Sequence, residues 1–427
     1  MGCASLRVET RLGKDEMLRV FGPALIKVEK GIVSVLGAEL EQGDSFPVDE
    51  FRSYVVRAEA DALLVVELGA GARLEPSALE EEPYSEWVSV ADEIVDECRD
   101  VFCRIAVIGP VDAGKTSIVA LIANRALAAG VRPAVVDCDI GQADLGPPGF
   151  TGLAFPSSWV SWLRRLDPEF LRFVGSIEPA VVSEELILAC RELVEKASTS
   201  SKADVVIVDT DGWIEGLRAL KHKLALLRAL RASHVVVVGS SILAEVVRGS
   251  LKTRVYELPQ PLVAYTRSPS ARRMLRQSNY KRFLGNAHIE TIDLKSVTVA
   301  SPCLARLVAR TERSQIYEDE DSVIVEYPGG VCVYAKRPLK PQDLARIQKR
   351  YGRREVAVID LNNIKYTLSA LRKPDGSDCP ALLLDVDIQN ATAKLLTTCH
   401  PPFVELHLGR VRLSESLLEI SRGRIIV

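Results

Sequence analysis

The sequence lacks any long hydrophobic run. Its N-terminal segment, MGCASLRVETRLGKDE, has no apolar signal region, and no later stretch reaches the roughly 20 consecutive apolar residues that a bilayer span requires. We therefore expect a cytoplasmic protein that has no membrane partner.

An excess of one charge sign is also absent, because 54 Lys and Arg residues oppose 57 Asp and Glu residues for a formal net charge of -3. Without an overall basic field, any nucleic-acid surface must be a local patch. The 427 residues, of which 47% are hydrophobic, exceed what one ordinary core holds and are too apolar for a disordered chain. Two or three domains are expected.

Closely spaced cysteine pairs are missing as well. The nine cysteines form no CxxC motif and the five histidines show no ligand spacing, so the sequence indicates neither a disulfide framework nor a zinc site. A bridge between Cys98 and Cys103 is one alternative. The sequence favours the other, in which reduced thiols pack as small apolar side chains.

Three kinds of segment follow one another along the chain. Residues 1–92 show short alternating strands and glycine turns, which predict an N-terminal β-sandwich domain or barrel that ends in a linker at Glu80 to Pro83. Residues 93–292 alternate apolar runs with helical stretches, the pattern of βαβ units on a mainly parallel sheet. Residues 293–427 return to β-rich sequence. The predicted fold class is α/β, with small β-rich N- and C-terminal domains.

The central segment carries a phosphate-binding motif between an apolar strand, IAVI, and a helical run, SIVALIANRALAAG. In such a loop, backbone N–H groups and the helix N-terminus form an anion site. Lys115 should reach the β- and γ-phosphates, and the Thr116 hydroxyl should coordinate Mg²⁺. Residues 93–292 are thus predicted to be a P-loop kinase domain. The predicted nucleotide-binding residues are Gly109, Pro110, Val111, Asp112, Ala113, Gly114, Lys115, Thr116 and Ser117.

Two further strand ends carry carboxylates, and ligands of open α/β sheets bind at such ends. After the strand AVV, Asp137 and Asp139 are one residue apart and point to opposite sides, so they should have different roles. Asp139 is nearer the loop tip, where it can accept a proton from a hydroxyl or bind metal through water. In VVIVDTDGW, Asp209 follows a buried strand in the pattern that holds hydrated Mg²⁺. Trp213 offers a stacking surface for a base, and a core tryptophan is the alternative.

An arginine-rich stretch, residues 267–282, contains five Arg and one Lys without any acid. Ser268 is the predicted N-cap of a helix. Arg272 and Arg276 share a helix face at i,i+4. Such cations repel one another unless an anion lies over them, and arginine binds transferring phosphoryl groups well. A merely solvated basic face is the alternative.

Taken in order, these elements resemble the polynucleotide 5′-hydroxyl kinases, the family of the pre-mRNA cleavage-factor kinase and the ribosomal-RNA-processing kinases, which includes archaeal members. The matching elements are VIGPVDAGKTS, VDCDIGQADLGPPG, FVGSIEP, DTDGWIEG and the stretch that closes in YKRFLG, which together span about residues 105–285. The resemblance implies a three-domain enzyme that transfers the γ-phosphate of ATP to the 5′-hydroxyl end of RNA or DNA.

The resemblance also implies roles for individual residues. ATP and Mg²⁺, or another divalent metal, would bind at the P-loop, and the N-terminal domain would help hold the adenine. Asp139 would activate the acceptor hydroxyl, Gln142 would belong to the same site, and Trp213 would stack on the terminal nucleotide. The implied sets are Lys115, Asp139, Arg272 and Arg276 for catalysis, with the two arginines in a mobile lid, and Thr116, Asp139 and Asp209 for the metal.

The sequence leaves three hypotheses in order. The first is an ATP-dependent polynucleotide 5′-hydroxyl kinase of RNA processing or repair. The second is a catalytically weak ATP-binding scaffold of an RNA-processing complex, which would need neither Asp139 nor the arginine stretch. The third is a switch or metallochaperone NTPase, which is disfavoured because the second P-loop lysine and an NKxD motif are absent. RNA against DNA preference and protein partners stay open.

Overall fold

The computed structural model of this chain describes residues 6–77, 82–261, 266–309, 316–318, 322–335, 337–352, 355–361, 363–387 and 389–421. The chain forms two compact units. Unit 1 comprises Met1–Leu145, Thr151–Phe170 and Ser183–Met274, and unit 2 comprises Gly146–Phe150, Leu171–Val182 and Leu275–Val427. The sequence-based division at residues 92 and 292 follows different lines and stays a prediction.

The first part of unit 1 consists of two antiparallel sheets whose inward side chains form one core. Ile26 and Val66 from one sheet, and Val20 and Val56 from the other, are completely buried in the same cluster. The sheets run in the orders β1-β8-β3-β6 and β5-β4-β7-β2-β9. The strands are β1 (Leu6–Leu12), β2 (Met17–Phe21), β3 (Ala24–Lys30), β4 (Val33–Val35), β5 (Ala38–Leu40), β6 (Ser45–Val48), β7 (Ser53–Ala58), β8 (Ala62–Leu68) and β9 (Arg73–Ser77).

The second part of unit 1 is an α/β sheet. Its order is β12-β11-β14-β10-β15-β16, with parallel pairs except for β11 and β12. The elements are α1 (Tyr84–Glu97), β10 (Cys103–Ile108), α2 (Lys115–Ala128), β11 (Pro133–Cys138), β12 (Phe150–Ala154), a 3-10 turn (Leu163–Arg165), β13 (Phe170–Phe173), α3 (Ser183–Ser198), β14 (Val205–Thr210), α4 (Gly216–Leu230), β15 (His234–Val238), α5 (Ser241–Ser250) and β16 (Arg254–Leu258).

The four strands predicted from apolar runs are confirmed in β10, β11, β14 and β15. Every residue of β11, β14 and β15 is buried, because a parallel sheet covered on both faces requires continuous apolar strands rather than alternating ones. The predicted α/β centre is therefore confirmed.

Unit 2 contains two further sheets. The larger runs β17-β25-β24-β23-β26-β18, with β27 paired to β26, and the smaller runs β19-β20-β21-β22. The elements are α6 (Pro269–Leu284), which begins in unit 1, β17 (His288–Asp293), β18 (Thr298–Val299), α7 (Pro302–Val308), β19 (Ile316–Glu318), β20 (Ser322–Tyr327), β21 (Gly330–Ala335), α8 (Pro341–Tyr351), β22 (Glu355–Asp360), β23 (Thr367–Arg372), β24 (Asp378–Asp387), β25 (Thr392–Thr397), β26 (Glu405–Leu413) and β27 (Glu419–Ser421).

Two features of the fold bear on the sequence-based predictions. Helix α6 begins as predicted, with the Ser268 hydroxyl accepting the Ala271 N–H at 3.1 Å and Pro269 in the first helical position. Within the described ranges, no helix is both long and apolar enough to traverse a membrane.

The predicted linker is wrong at its described end. Glu82 is buried, and its carboxylate accepts a hydrogen bond from Arg19 Nε at 2.8 Å. The charge pattern missed this ion pair because the two residues lie far apart in sequence. Glu80 and Glu81 lie outside the described residues.

The prediction of reduced cysteines is also wrong. The structure joins eight of the nine cysteines in four disulfides, Cys98–Cys103, Cys138–Cys190, Cys303–Cys332 and Cys379–Cys399. Only the first of these was visible as an alternative in the sequence. The other partners are separated by 52, 29 and 20 residues, so folding alone brings them together.

Candidate active site

The P-loop connects β10 to α2, and two glycines permit its path. A Cβ added to Gly109 would lie 2.4 Å from the Val238 carbonyl oxygen, so no side chain fits there. Gly114 caps α2 with a φ of 96°, which glycine adopts without steric cost. Because the first turn of α2 contains no acidic residue, its unpaired N–H groups form a site for an anion.

Thr116 and Asp209 meet beside this loop. The Thr116 hydroxyl donates to Asp209 Oδ2 at 2.6 Å, and Asp209 Oδ1 is buried without a hydrogen-bond partner among the described residues. Burial raises the pKa of Asp209 to about 7, although the Thr116 hydroxyl and the Lys115 ammonium act in the opposite direction. An unpartnered carboxylate oxygen next to a hydroxyl is a donor set that suits Mg²⁺.

Lys115, the first residue of α2, is buried with its Nζ donating to the Pro110 carbonyl oxygen at 2.8 Å. Burial lowers the pKa of this ammonium, and the carboxylates of Asp209 and Asp139 raise it. The carbonyl is a neutral partner. Lys115 therefore keeps its positive charge for an anionic ligand.

Asp137 lies in the last turn of β11, directly opposite Asp209 on β14. It is buried, and its carboxylate accepts backbone N–H groups of Asp139 at 3.0 Å, Asp144 at 2.6 Å and Leu145 at 3.0 Å. Burial raises its pKa well above the ordinary value, and the Asp209 charge adds to this effect. Asp137 thus shapes the loop that follows it.

Asp139 stands on that loop and is half-buried. Its Oδ1 accepts the N–H groups of Gly141 at 3.0 Å and Gln142 at 2.9 Å, whereas no described residue donates to Oδ2. Loss of hydration raises the pKa of Asp139, and the charge of Asp211 raises it further. The Gln142 amide donates to the Gly141 carbonyl at 2.9 Å within the same loop. The separate environments predicted for Asp137 and Asp139 are therefore present.

Trp213 follows β14 on a turn that a buried ion pair supports. Its backbone N–H donates to Asp211 Oδ1 at 2.8 Å, and Lys223 Nζ lies 2.8 Å from Asp211 Oδ2. Burial alone would raise the pKa of Asp211, but the Lys223 ammonium holds it far below its usual range. The half-buried Trp213 ring packs against His222, with 5.4 Å between ring centroids.

The Trp213 turn contacts the tip of the P-loop. A Cβ added to Gly212 would lie 2.8 Å from the backbone nitrogen of Val111, closer than any side chain allows. A glycine at this position therefore lets the tryptophan element and the phosphate loop touch.

Two arginines at the start of the arginine-rich stretch lie near the P-loop. Arg272 Nη2 bonds to the Asp112 carboxylate at 2.6 Å. Arg267 has no carboxylate partner among the described residues, and burial followed by the charge of Arg52 lowers its pKa to about 10. Two facing guanidinium groups, Arg267 and Arg52, attract an anion.

Arg276 has a different partner from Arg272, although both were predicted on one lid face. It is buried in unit 2, where its Nε and Nη2 bond to the two carboxylate oxygens of Glu419, the latter contact at 3.1 Å. The i,i+4 spacing placed the two residues on one face, but it did not reveal the carboxylate that neutralises Arg276.

Sequence analysis missed three contributors to this region. Lys223 carried a signal, because a lysine stands on the buried stripe of α4 with Ala219 and Leu226. Arg267 was noticed within the stretch but not separated from its neighbours. Arg52 gave no local signal, since only tertiary contact brings it to Asp144 at 2.8 Å.

Residues 109–286 match the family model described as mRNA cleavage and polyadenylation factor CLP1 P-loop. The match begins at the first P-loop residue and covers the Asp139 loop, the Trp213 turn and the arginine-rich stretch. This segment belongs to the CLP1 P-loop family. The resemblance stated from the sequence motifs is therefore confirmed.

Curated relatives of this CLP1 P-loop chain carry kinase names. A polyribonucleotide 5′-hydroxyl-kinase of Pyrococcus furiosus is 27% identical over 278 residues, which are 64% of this chain and 76% of that protein. One of Methanocaldococcus jannaschii is 26% identical over 325 residues, 73% of this chain and 88% of that protein. A CLP1 homologue of Arabidopsis thaliana is 30% identical over 213 residues, 45% of this chain and 49% of that protein.

A solved structure extends the similarity in fold to nearly the whole chain. Clp1p in the structure of the wild-type Clp1p-Pcf11p complex has a TM-score of 0.63 with 15% sequence identity, covering 96% of this chain and 99% of that one. At this identity the likeness concerns the fold. It agrees with a P-loop fold built from mixed sheets and helices.

Proposed function

We propose that this chain is an ATP-dependent polynucleotide 5′-hydroxyl kinase that phosphorylates RNA ends. One observation carries the proposal: β10, β14 and β11 are neighbouring parallel strands, so the P-loop, Asp209 and Asp139 leave the sheet at the same edge. Ligands of open α/β sheets bind at this edge. The kinase names of the archaeal relatives support the same activity.

The triphosphate would bind at the N-terminus of α2. Backbone N–H groups of the P-loop would hold its oxygens, and Lys115 would exchange the Pro110 carbonyl for the β- and γ-phosphates. Because Lys115 is buried, its charge acts in a medium that screens it less than water does.

Thr116 and Asp209 would hold Mg²⁺, since they supply a hydroxyl and an unpartnered carboxylate oxygen. When bound, the ion would neutralise charge on the β- and γ-phosphates. A divalent cation would also remove the cause of the raised pKa of Asp209, because it favours the ionised carboxylate.

Asp139 would act as the general base for the acceptor. Its Oδ1 is held by two backbone N–H groups, which leaves Oδ2 to accept the proton of the 5′-hydroxyl. The hydroxyl oxygen forms a bond to the γ-phosphorus as the bond to the β-phosphate oxygen breaks, and ADP leaves. A pKa raised towards neutrality improves a carboxylate as a base.

The terminal nucleotide would be held by stacking. Trp213 is half-exposed on a rigid turn beside the P-loop, and stacking of a base on such a ring is worth about 1 to 3 kcal/mol. Gln142, on the Asp139 loop, would contribute a polar contact to the same acceptor. Stacking accepts any base, which suits an enzyme that acts on ends.

Arg267 and Arg272 would neutralise the transferring phosphoryl group. Arg272 is already bonded to the P-loop residue Asp112, and Arg267 lacks a carboxylate partner among the described residues. Arginine suits this role because it stays charged and binds phosphate oxygens in pairs. Arg276 would serve stability rather than catalysis, since Glu419 occupies it.

Label transfer tests the proposal directly. The protein is incubated with γ-labelled ATP, Mg²⁺ and a 5′-hydroxyl RNA oligonucleotide, with a DNA oligonucleotide in a parallel arm. We expect labelled RNA, and a loss of about 100- to 10,000-fold in rate for Asp139→Asn with ATP binding retained.

The matched control is Asp100→Asn, which alters an exposed aspartate and should leave the rate unchanged. Failure of the wild-type protein to label either oligonucleotide while it binds ATP would favour the scaffold hypothesis instead. Labelling of DNA alone would contradict RNA as the substrate.

A further inference from the structure

The cysteines of this chain are distributed in a way that chance does not explain. Eight of nine fall into four pairs, with Cα–Cα distances of 5.5, 6.0, 5.9 and 6.3 Å. Each distance lies within the range of roughly 4.4 to 6.8 Å that a disulfide needs. The ninth, Cys3, lies outside the described residues.

One of these pairs lies at the proposed acceptor site. Cys138 is the last residue of β11, between Asp137 and Asp139, and Cys190 lies in the middle of α3. The two are separated by 52 residues, the longest separation among the four pairs. Both cysteines are completely buried.

The position of Cys138 matters because the loop that follows is built on its neighbours. Asp137 accepts three backbone N–H groups from this loop, and Asp139 accepts two. Each of these bonds depends on where the end of β11 lies. A covalent link from Cys138 to a packed helix would fix that end.

We propose that Cys138 and Cys190 form a structural disulfide that holds the Asp139 loop in place for phosphoryl transfer. The effect on transfer rests on the proposed function, whereas the bond itself does not. Cys138 and Cys190 are positioning residues, since they act on the reaction through Asp139.

The bond forms by thiol–disulfide exchange with a small disulfide such as oxidised glutathione. One cysteine thiolate attacks a glutathione sulfur and releases the first reduced glutathione, and the second cysteine thiolate then displaces the other. Two protein thiols are oxidised and one glutathione disulfide is reduced. Because both sulfurs are buried in the folded protein, this exchange occurs before folding is complete, and the bond is structural rather than a reversible switch.

The first experiment maps the bond in the full-length protein. Protein folded in a glutathione buffer is denatured, alkylated without reductant, digested and analysed by mass spectrometry. We expect a linked peptide pair that contains Cys138 and Cys190. Alkylation of both cysteines in a sample where Cys379 and Cys399 are linked would overturn the proposal.

The second experiment compares Cys138→Ala/Cys190→Ala with Cys379→Ala/Cys399→Ala, a pair in unit 2. Both variants should lose thermal stability, by roughly 10 °C in Tm for the first because of its long loop. Only the first should lower kcat for RNA phosphorylation, by about 10- to 100-fold, with little change in the KM for ATP.

The outcomes separate the two proposals. An unchanged kcat in the folded first variant would overturn the positioning role. A kcat loss of the same size in the unit 2 variant would overturn it as well. If the wild-type protein transfers no phosphate, the proposed function fails, and the peptide map still decides whether the disulfide exists.

Discussion

Identical side chains at the ends of β11 and β14 differ in their chemistry because their neighbours differ. Asp209 is buried with one oxygen unpartnered, and its pKa is raised to about 7. Asp211, one residue beyond β14, is buried beside Lys223, which holds its pKa far below the usual range. Asp139 lies between these extremes, with a raised pKa and one oxygen left for a ligand. Such separation of pKa values assigns acids and bases at active sites.

Replacement of Asp209 by Asn should stabilise the metal-free protein at pH 8 and abolish its response to Mg²⁺. A raised pKa in the folded state means that Asp209 contributes stability below its unfolded pKa of about 4 and loses it as pH rises to about 7. The variant lacks this loss. Thermal unfolding with and without Mg²⁺ and ATP measures both effects.

The control for this prediction is Asp204→Asn in the same unit. Arg132 holds the pKa of Asp204 at about 2, so its ionised form stabilises the fold, and this variant should have a lower Tm at pH 8. A lower Tm for metal-free Asp209→Asn would contradict the buried-charge interpretation.

The acid limb of the pH–rate profile should lie above the pKa of an ordinary aspartate, which is about 4. The general base must be ionised, and burial raises the pKa of Asp139, so activity should rise at a higher pH than for an exposed carboxylate. The measurement is kcat for RNA at saturating ATP across the acid range. A limb at or below the ordinary value would contradict the role of Asp139.

Helix α4 supports the Trp213 turn through a lysine in its buried stripe. Lys223 Nζ bonds to both the Asp211 carbonyl oxygen at 2.9 Å and its carboxylate at 2.8 Å. Removal of one member of a buried ion pair leaves an uncompensated charge. The rigidity of the turn therefore depends on an element far from it in sequence.

Lys223→Met should destabilise the protein by about 3 to 5 kcal/mol and raise the KM for the oligonucleotide. The added Asp211→Asn substitution should restore part of the stability, because no charge then remains buried. Lys221→Met, on the exposed face of α4, is the control. Denaturant unfolding and steady-state kinetics provide the readouts, and equal effects of the two methionine variants would contradict the prediction.

Two arginines of α6 should give opposite results when each is replaced by Ala. Arg272→Ala removes a cation at the P-loop and should lower kcat by at least about tenfold with little change in Tm. Arg276→Ala leaves Glu419 buried without a partner and should destabilise the fold by about 3 kcal/mol. Kinetics and thermal unfolding of both variants check this contrast, which a reversed pattern would refute.

Unit 1 as a whole has a single hydrophobic core that joins the two antiparallel sheets to the P-loop domain. Ile26 of the sandwich and Ile105 of the central sheet belong to one cluster, and buried Asn124 of α2 donates to the Leu36 carbonyl at 2.8 Å. The two parts should therefore unfold together. This contact is where the resemblance places help from the N-terminal domain in holding the adenine.

Native-state hydrogen exchange should show the strands of the sandwich and of the central sheet losing protection at the same denaturant concentration. Cooperative unfolding of a shared core requires this coincidence. Asn124→Ala should lower both midpoints equally, because it removes a buried hydrogen-bond partner of Leu36 and of Val160. Earlier exchange of the sandwich would show that it unfolds independently.

The sequence by itself determined the central strands, the P-loop and the family. These features are local: a buried parallel strand must be continuously apolar, and a phosphate loop needs glycine, lysine and threonine at fixed spacing. The family followed because five such elements occur in one order, and the match of residues 109–286 confirmed it.

Only the tertiary structure decided which of these side chains are charged, paired or linked. Glu419 neutralises Arg276, Lys223 holds Asp211, and Cys190 meets Cys138, each across a distance in sequence that no motif records. Burial then set the pKa of Asp209 and Asp139, since desolvation depends on every chain segment that excludes water from a site. Spacing therefore identifies the reactive residue types, and packing determines which of them can react.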